Sequence, residues 1–277
     1  MHLKRRLIAL SLALALVLAG AAAGCSKEPE APVLDPKVAP PVIGTAGVLR
    51  VGVDLEYPPF GGNDQGVDAG IDVDVAAAIA ERLGLKLELV SVQAGQVASA
   101  VNDGRVDIAL GATPITEAVL ADISTAGSYL IDGPALFSIV ASGTPAPTHA
   151  LDTLGGLRVA AQKESVAFWA IEADYGEGYV TGFDTLRAAF DALVAGEVDV
   201  VAGDAAVGAY IARDFDDIRI VGQVGSATPL GVVVKKDATE LEAEVRSVLD
   251  ALSAEGVLGT ITRKWLGEFP TLEVAAE

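Results

Sequence analysis

Cysteine occurs once in this chain, at Cys25, so no internal disulfide can form and the fold must be held together by core burial. Basic residues are few, with 19 Lys and Arg against 38 Asp and Glu. Nucleic acid is therefore not expected as a partner, because its binding rests on phosphate neutralisation by basic side chains. The acidic excess reads as a solvated surface that favours solubility. Histidine is limited to His2 and His149, which leaves no evident histidine base for catalysis. No dense loop of carboxylates marks a calcium site, and no metal or other cofactor is expected.

What is present at the start of the chain points to export. Lys4, Arg5 and Arg6 precede an apolar run over residues 7–19, which at about a dozen residues is too short to span a bilayer comfortably. Ala21, Ala22, Ala23 and Gly24 then lead into Cys25. Residues 1–24 read as a signal peptide. A lone Cys after Ala-Gly resembles a lipobox, with Ala22 where Leu is usual; there the thiol is acylated and Cys25 tethers the protein to a membrane. Ordinary cleavage after Ala-x-Ala would instead leave Cys25 spare. Loss of the leader would leave 16 basic against 38 acidic residues, a net charge of −22. Residues 25–45 carry Pro29, Pro32, Pro36, Pro40 and Pro41 and read as a stiff stalk. About 230 residues remain, enough for two modest α/β lobes.

Beyond residue 46, strand and helix patterns alternate. Residues 49–53, 85–90 and 106–110 read as strands and 72–83 and 95–102 as helices, an order that implies parallel βαβ units covered by helices. The chain also echoes itself. Asp103-Gly104-Arg105-Val106-Asp107-Ile108 is matched by Ala195-Gly196-Glu197-Val198-Asp199-Val200, and Leu49-Arg50-Val51 by Leu157-Arg158-Val159. Two copies of one α/β plan argue for two similar lobes rather than one large sheet. Residues 230–236 read as a further strand and 256–266 as a closing helix. Between them, residues 241–252 form an amphipathic helix with Leu241, Val245, Val248, Leu249 and Leu252 on one face.

The most specific stretch is Gly70-Ile71-Asp72-Val73-Asp74-Val75, running on to Leu83 shortly after Tyr57-Pro58-Pro59-Phe60. Asp72 reads as a helix N-cap, and Asp74 falls in the first turn, where the helix dipole favours a carboxylate. Val75, Ile79 and Leu83 recur at i, i+4, i+8 as one apolar stripe. Position by position across residues 70–83, and in outline across residues 47–267, the chain resembles the bacterial extracellular solute-binding proteins of family 3. These are the substrate-binding lipoproteins of polar-amino-acid ABC transporters. The resemblance implies an α/β, two-lobed periplasmic-binding-protein-like fold, with two parallel-rich sheets joined by a two-crossing hinge. Lobe 1 would span residues 46–138 plus 230–277 and lobe 2 residues 139–229, with crossings near 137–142 and 226–230. It also implies a monomeric, exported, non-enzymatic binder. Such a protein captures a small-molecule ligand, an amino acid or cationic amine, by hinge closure and presents it to an ABC permease.

In such a fold the ligand sits in the cleft, at the C-terminal ends of the strands. Asp54, Tyr57 and Phe60 fall there after the first strand, and Gly111 and Thr113 after the third. Glu164 and Ser165 join a strand to a helix in the second lobe, and Asp204 ends another strand. Tyr57 and Phe60 suit stacking on an aliphatic or cationic group. Asp54 suits a distal positive group. By the resemblance, Asp204 holds the ligand's α-ammonium, although a helix N-cap before Ala205 is equally good local chemistry. The family's carboxylate-clamping Arg would fall on Ala118 or Val119, and no Lys or Arg occurs between Arg105 and Arg158. The usual aromatic wall is replaced by Gln93, Ala94 and Gly95. Asp54, Glu164 and Asp204 would share a cleft without an obvious counter-charge. That points to a positively charged ligand with little carboxylate character, such as an amine, polyamine or guanidino compound. The rival is an ordinary amino acid held by backbone N–H groups and Lys163 or Arg187. The alternatives to transport are an extracellular sensor of the same fold and a cyclohexadienyl-dehydratase-like enzyme. The missing Arg argues against the enzyme, whose substrates carry carboxylates.

Overall fold

Strand β1 (Val48–Val53) alternates inward apolar and outward residues and buries Leu49, Val51 and Val53 completely. In the computed structural model, which describes residues 35–274, β1 lies between β4 (Lys86–Ser91) and β5 (Ile108–Ala109), parallel to both. Strand β13 (Thr228–Val234) joins antiparallel to β5, and β6 (Ser124–Asp132) antiparallel to β13, completing a five-stranded sheet. A hairpin of β2 (Gly62–Asp64) and β3 (Val67–Ala69) leads into helix α1 (Ile71–Arg82). Helices α2 (Val97–Asn102), α3 (Glu117–Leu120), α7 (Thr239–Ala254) and α8 (Val257–Leu266) belong to the same lobe. No helix among the described residues is long and apolar enough to cross a membrane.

The second sheet has six strands in the order β10 (Val180–Phe183), β9 (Val159–Gln162), β11 (Val200–Asp204), β7 (Pro134–Ile139), β12 (Ile218–Gln223) and β8 (His149–Ala150). Helices α4 (Val166–Tyr175), α5 (Leu186–Val194) and α6 (Ala205–Ala212) pack on it. Each sheet centres on three parallel strands in the same order, β4-β1-β5 and β10-β9-β11, with antiparallel strands added beside β5 and β11. The two lobes are copies of one plan.

The repeated sequence has a structural reason. Arg50, on β1, donates from its backbone N and Nε to Asp107 Oδ2 and from a terminal nitrogen to Asp107 Oδ1, and its other terminal nitrogen caps the carbonyls of Gly104 and Arg105. Arg158 makes the same set of bonds to Asp199, Gly196 and Glu197. In each lobe an Arg at the start of the first strand pins the turn that feeds the third.

Three expected boundaries move. The first crossing between sheets is at Gly133, between β6 and β7, and not at residues 137–142; β7 already pairs with β11 and β12. Gly133-Pro134 interrupts an apolar run there, and Pro134 has no N–H to continue the ladder. The second crossing runs through residues 224–227. The tail does not stay with lobe 1. Leu272 is buried among lobe 2 residues, Glu273 O accepts from Ala227 N at 2.8 Å, and Val274 bridges Ala227. Nor is the segment before residue 46 a stalk throughout. Val38 and Ile43 are buried in the lobe 1 core, and Lys37 N donates to Leu83 O. The leader, Cys25 and the rest of the expected stalk lie outside the described residues.

Candidate functional site

The lobe 1 wall is built from the end of β1. Asp54 joins two loops, its Oδ1 accepting from Glu56 N at 3.0 Å and its Oδ2 from Ala94 N at 3.3 Å. Tyr57 and Phe60 stack with ring centroids 5.4 Å apart. Phe60 is 1 % exposed and belongs to the lobe 1 core, whereas Tyr57 is 38 % exposed. Of the two expected stacking aromatics, only Tyr57 has an exposed face; Phe60 supports it from the core. The turn is fixed onto α1 by Ile71 N donating to Pro59 O and Asp72 N to Phe60 O, both at 2.9 Å. Gly70 makes this approach possible: its φ is +150°, and a Cβ there would lie 2.1 Å from Phe60 O.

Gly70, not Asp72, stands at the N-cap of α1. Asp72 lies inside the helix, fully buried, and holds the neighbouring loop, with Oδ2 accepting from Ala112 N at 3.1 Å. Its Oδ1 and the buried Tyr129 hydroxyl lack partners in hydrogen-bond geometry. Burial pushes the Asp72 carboxyl up to about 7, against the opposing pull of Tyr129 and of the Ala112 and Gly111 N–H groups. Gly111 and Ala112 both have positive φ. Thr113 is buried, its hydroxyl donating to Leu110 O and its carbonyl accepting from Gly231 N. Gly111 and Thr113 therefore shape the loop. The residues expected at the Arg position, Ala118 and Val119, sit in the short helix α3 capped by Thr116.

In lobe 2, Ser165 caps α4 by accepting from Phe168 N at 3.1 Å. Glu164 beside it is exposed, with φ +62°, and makes no side-chain hydrogen bond or ion pair among the described residues. Asp204 caps α6, accepting from Val207 N at 2.9 Å. The two cations considered as carboxylate holders are engaged elsewhere. Lys163 pairs with Asp184 at 2.6 Å; Arg187 pairs with Asp214 at 2.7 Å and lies over the Phe215 ring.

Charge converges on Tyr57 from both lobes. Its hydroxyl is pushed up to about 12, by burial first and then by Asp204, Asp132, Asp54 and Asp72. Asp132, at the end of β6, rises to about 8 through burial and the charge of Asp204; burial also raises Asp204. Asp54 and Asp204 thus both act on Tyr57, while Glu164 and Ser165 stand at a separate helix start. Asp72, Tyr129 and Asp132 are buried polar residues beside these that the sequence does not single out as candidates. For Asp132 a signal exists, because it is the only Asp, Glu, Lys or Arg between Asp122 and Asp152.

Residues 49–268 match the family described as bacterial extracellular solute-binding proteins, family 3. The chain is 26 % identical over 205 residues to the ABC transporter glutamine-binding protein GlnH of Bacillus subtilis, covering 73 % of this chain and 74 % of that one. Among solved structures it is similar to an ancestral cationic amino acid solute-binding protein, AncCDT-1, at 26 % identity and TM-score 0.69, covering 79 % of this chain and 96 % of that one. An ancestral arginine-binding protein bound to arginine is 30 % identical with TM-score 0.55, covering 80 % and 99 %.

Proposed function

Since the chain belongs to the bacterial extracellular solute-binding proteins, family 3, we propose that it is the substrate-binding component of an ABC importer and that its ligand is a small organic cation. The cation reading rests on the acids of both lobes that act on the half-exposed Tyr57, Asp54 on one side and Asp204 with Asp132 on the other, with no paired cation among them. An amine or guanidinium group supplies the missing positive charge and accepts the open face of Tyr57. Lys163 and Arg187, already paired, are poor candidates for holding a ligand carboxylate. The likeness to AncCDT-1, a cationic amino acid binder, agrees with this chemistry.

Capture follows from the two-lobed plan. The ligand touches Tyr57 and Asp54 from lobe 1 and Asp204 from lobe 2, so it stabilises only the arrangement in which both reach it, and the population shifts to the closed form that a permease recognises. No step needs a covalent bond to change. The protein is exported and acts as a monomer, tethered at the outer face of the cell membrane through an acylated Cys25.

The test is thermal unfolding of the purified protein with a panel of amino acids, polyamines and guanidino compounds. A ligand at a hundredfold over its Kd adds roughly 2.7 kcal/mol, a shift of several degrees. Cationic compounds are expected to raise the midpoint and Asp204→Asn to abolish the effect. A shift by neutral amino acids alone would overturn the cation reading.

A further inference from the structure

We infer that Asp132, on the strand that crosses between the lobes, is a second ligand-holding carboxyl, and that it shares with Asp204 one proton which the ligand's cationic group displaces. The inference rests on the cation-binding reading above and assigns Asp132 a role in it.

The backbone sets the two residues side by side. Asp132 is the last residue of β6, and the β11–β7 register places Asp204 across from Pro134. Ala205 N donates to Gly133 O at 2.8 Å, so the two acids flank one backbone hydrogen bond at the crossing. Both are then aimed by the first turn of α6. Asp132 Oδ1 accepts from Ala206 N at 3.0 Å and from Gly133 N at 2.9 Å, and Asp204 Oδ1 accepts from Val207 N at 2.9 Å.

Ala206 N and Val207 N are consecutive donors of one helix turn, so the two carboxyl groups that accept from them adjoin each other. Ionised carboxylates only accept, so such a contact requires a proton on one of them. Asp132 is the more buried, at 6 % exposure, and is the natural holder. The titratable groups that sense the pair are Tyr57, from the loop after β1, and Tyr129 from β6. Neither supplies a counter-charge.

The Tyr129 hydroxyl and Asp72 Oδ1 are buried beside each other without a partner in strict hydrogen-bond geometry, and the hydroxyl also lies in the field of Asp132. A ligand ammonium or guanidinium has several N–H donors to offer the Asp132 and Asp204 acceptors.

The exchange balances simply. Protonated Asp132, ionised Asp204 and a cation become a cation held by two carboxylates, and one proton leaves to solvent. Only an O–H bond breaks, and the charge of the filled site equals that of the empty one. Because Asp132 adjoins Gly133, the exchange takes place at the crossing about which the lobes move.

Isothermal titration of the purified protein at pH 7 with putrescine, agmatine and L-arginine, in phosphate and in Tris, tests this. For a probe that binds, the heat is expected to differ between buffers as about one released proton requires. Its Kd should fall up to tenfold per pH unit below about pH 8 and then level off. Asp132→Asn keeps an acceptor for the Gly133 and Ala206 N–H groups; it is expected to bind still, more weakly, and to lose both the release and the pH slope. Binding by the wild type without proton release, or release that persists in Asp132→Asn, would overturn the inference and leave the cation reading standing. If none of the three probes binds, both readings fall together.

Discussion

Tyr57 rests its ring on Phe60, the one 38 % exposed and the other 1 %. The two rings do different work. Phe60 anchors the turn in the lobe 1 core, and Tyr57 carries the exposed face proposed to meet the ligand. Tyr57→Ala is expected to weaken ligand binding about tenfold with little change in unfolding midpoint. Phe60→Ala should destabilise the fold by about 3 kcal/mol through the cavity it leaves. Urea unfolding with ligand titration on both variants separates the roles, and equal loss of stability in the two would refute the division.

The repeated Arg–Asp clamps differ in depth. The Asp107 side chain is 4 % exposed and that of Asp199 is 37 %. Asp107→Ala leaves four N–H donors, three of Arg50 and one of Gly44, without their acceptor, and should cost about 3 kcal/mol. Asp199→Ala should cost clearly less, because water reaches its partner. Chemical denaturation of the two variants decides, and a larger loss at Asp199 would contradict the argument from burial.

Stability should fall as pH rises. Asp72 stands at about 7 in the folded protein, against about 3.9 for an unfolded Asp. The native state keeps a proton that the unfolded state has released. Between about pH 4 and pH 7 each unit therefore removes stability, on the order of 4 kcal/mol in all, and above about pH 7 the loss is complete. Asp132 acts with the same sign up to about 8. Asp72→Asn, whose amide can donate to the Tyr129 hydroxyl, should flatten this slope and raise the unfolding midpoint at pH 8. A variant less stable than wild type at pH 8 would show the charge to be better accommodated than its burial implies.

At the crossings, space rather than charge is limiting. A Cβ on residue 133 would lie 2.8 Å from Ala227 Cα. Gly133→Ala should push the two crossing segments apart at a cost of roughly 1–3 kcal/mol. Its visible effect is on lobe movement: small-angle scattering should show a smaller ligand-induced contraction than in wild type. An unchanged contraction would mean that the strain is absorbed away from the hinge.

Much of this architecture is written locally in the chain. The stripe of Val75, Ile79 and Leu83 announces α1 because a helix face repeats within a few residues, and the two Arg–Asp echoes are short enough to read by eye. Asp132 is hidden for the opposite reason: its meaning comes from α6 and from Asp204, some seventy residues away, brought beside it by the β7–β11 pairing. Asp72 misleads because an acid at a helix start is good capping chemistry, and only the arrival of the Gly111–Thr113 loop gives it another use. Tyr57 and Phe60 look alike because sequence does not say which ring of a Pro-Pro turn faces inward. The first crossing is displaced because an apolar strand reads the same on either sheet.

The segment after α8 alters the mechanics of the joint. Two adjacent crossings permit bending and also twisting about their common line. A third segment, laid beside Ala227 and fastened through Gln223 and Glu273, ties the end of the chain to the second crossing. The lobes are joined by three chain segments rather than two, and any movement between them must bend all three.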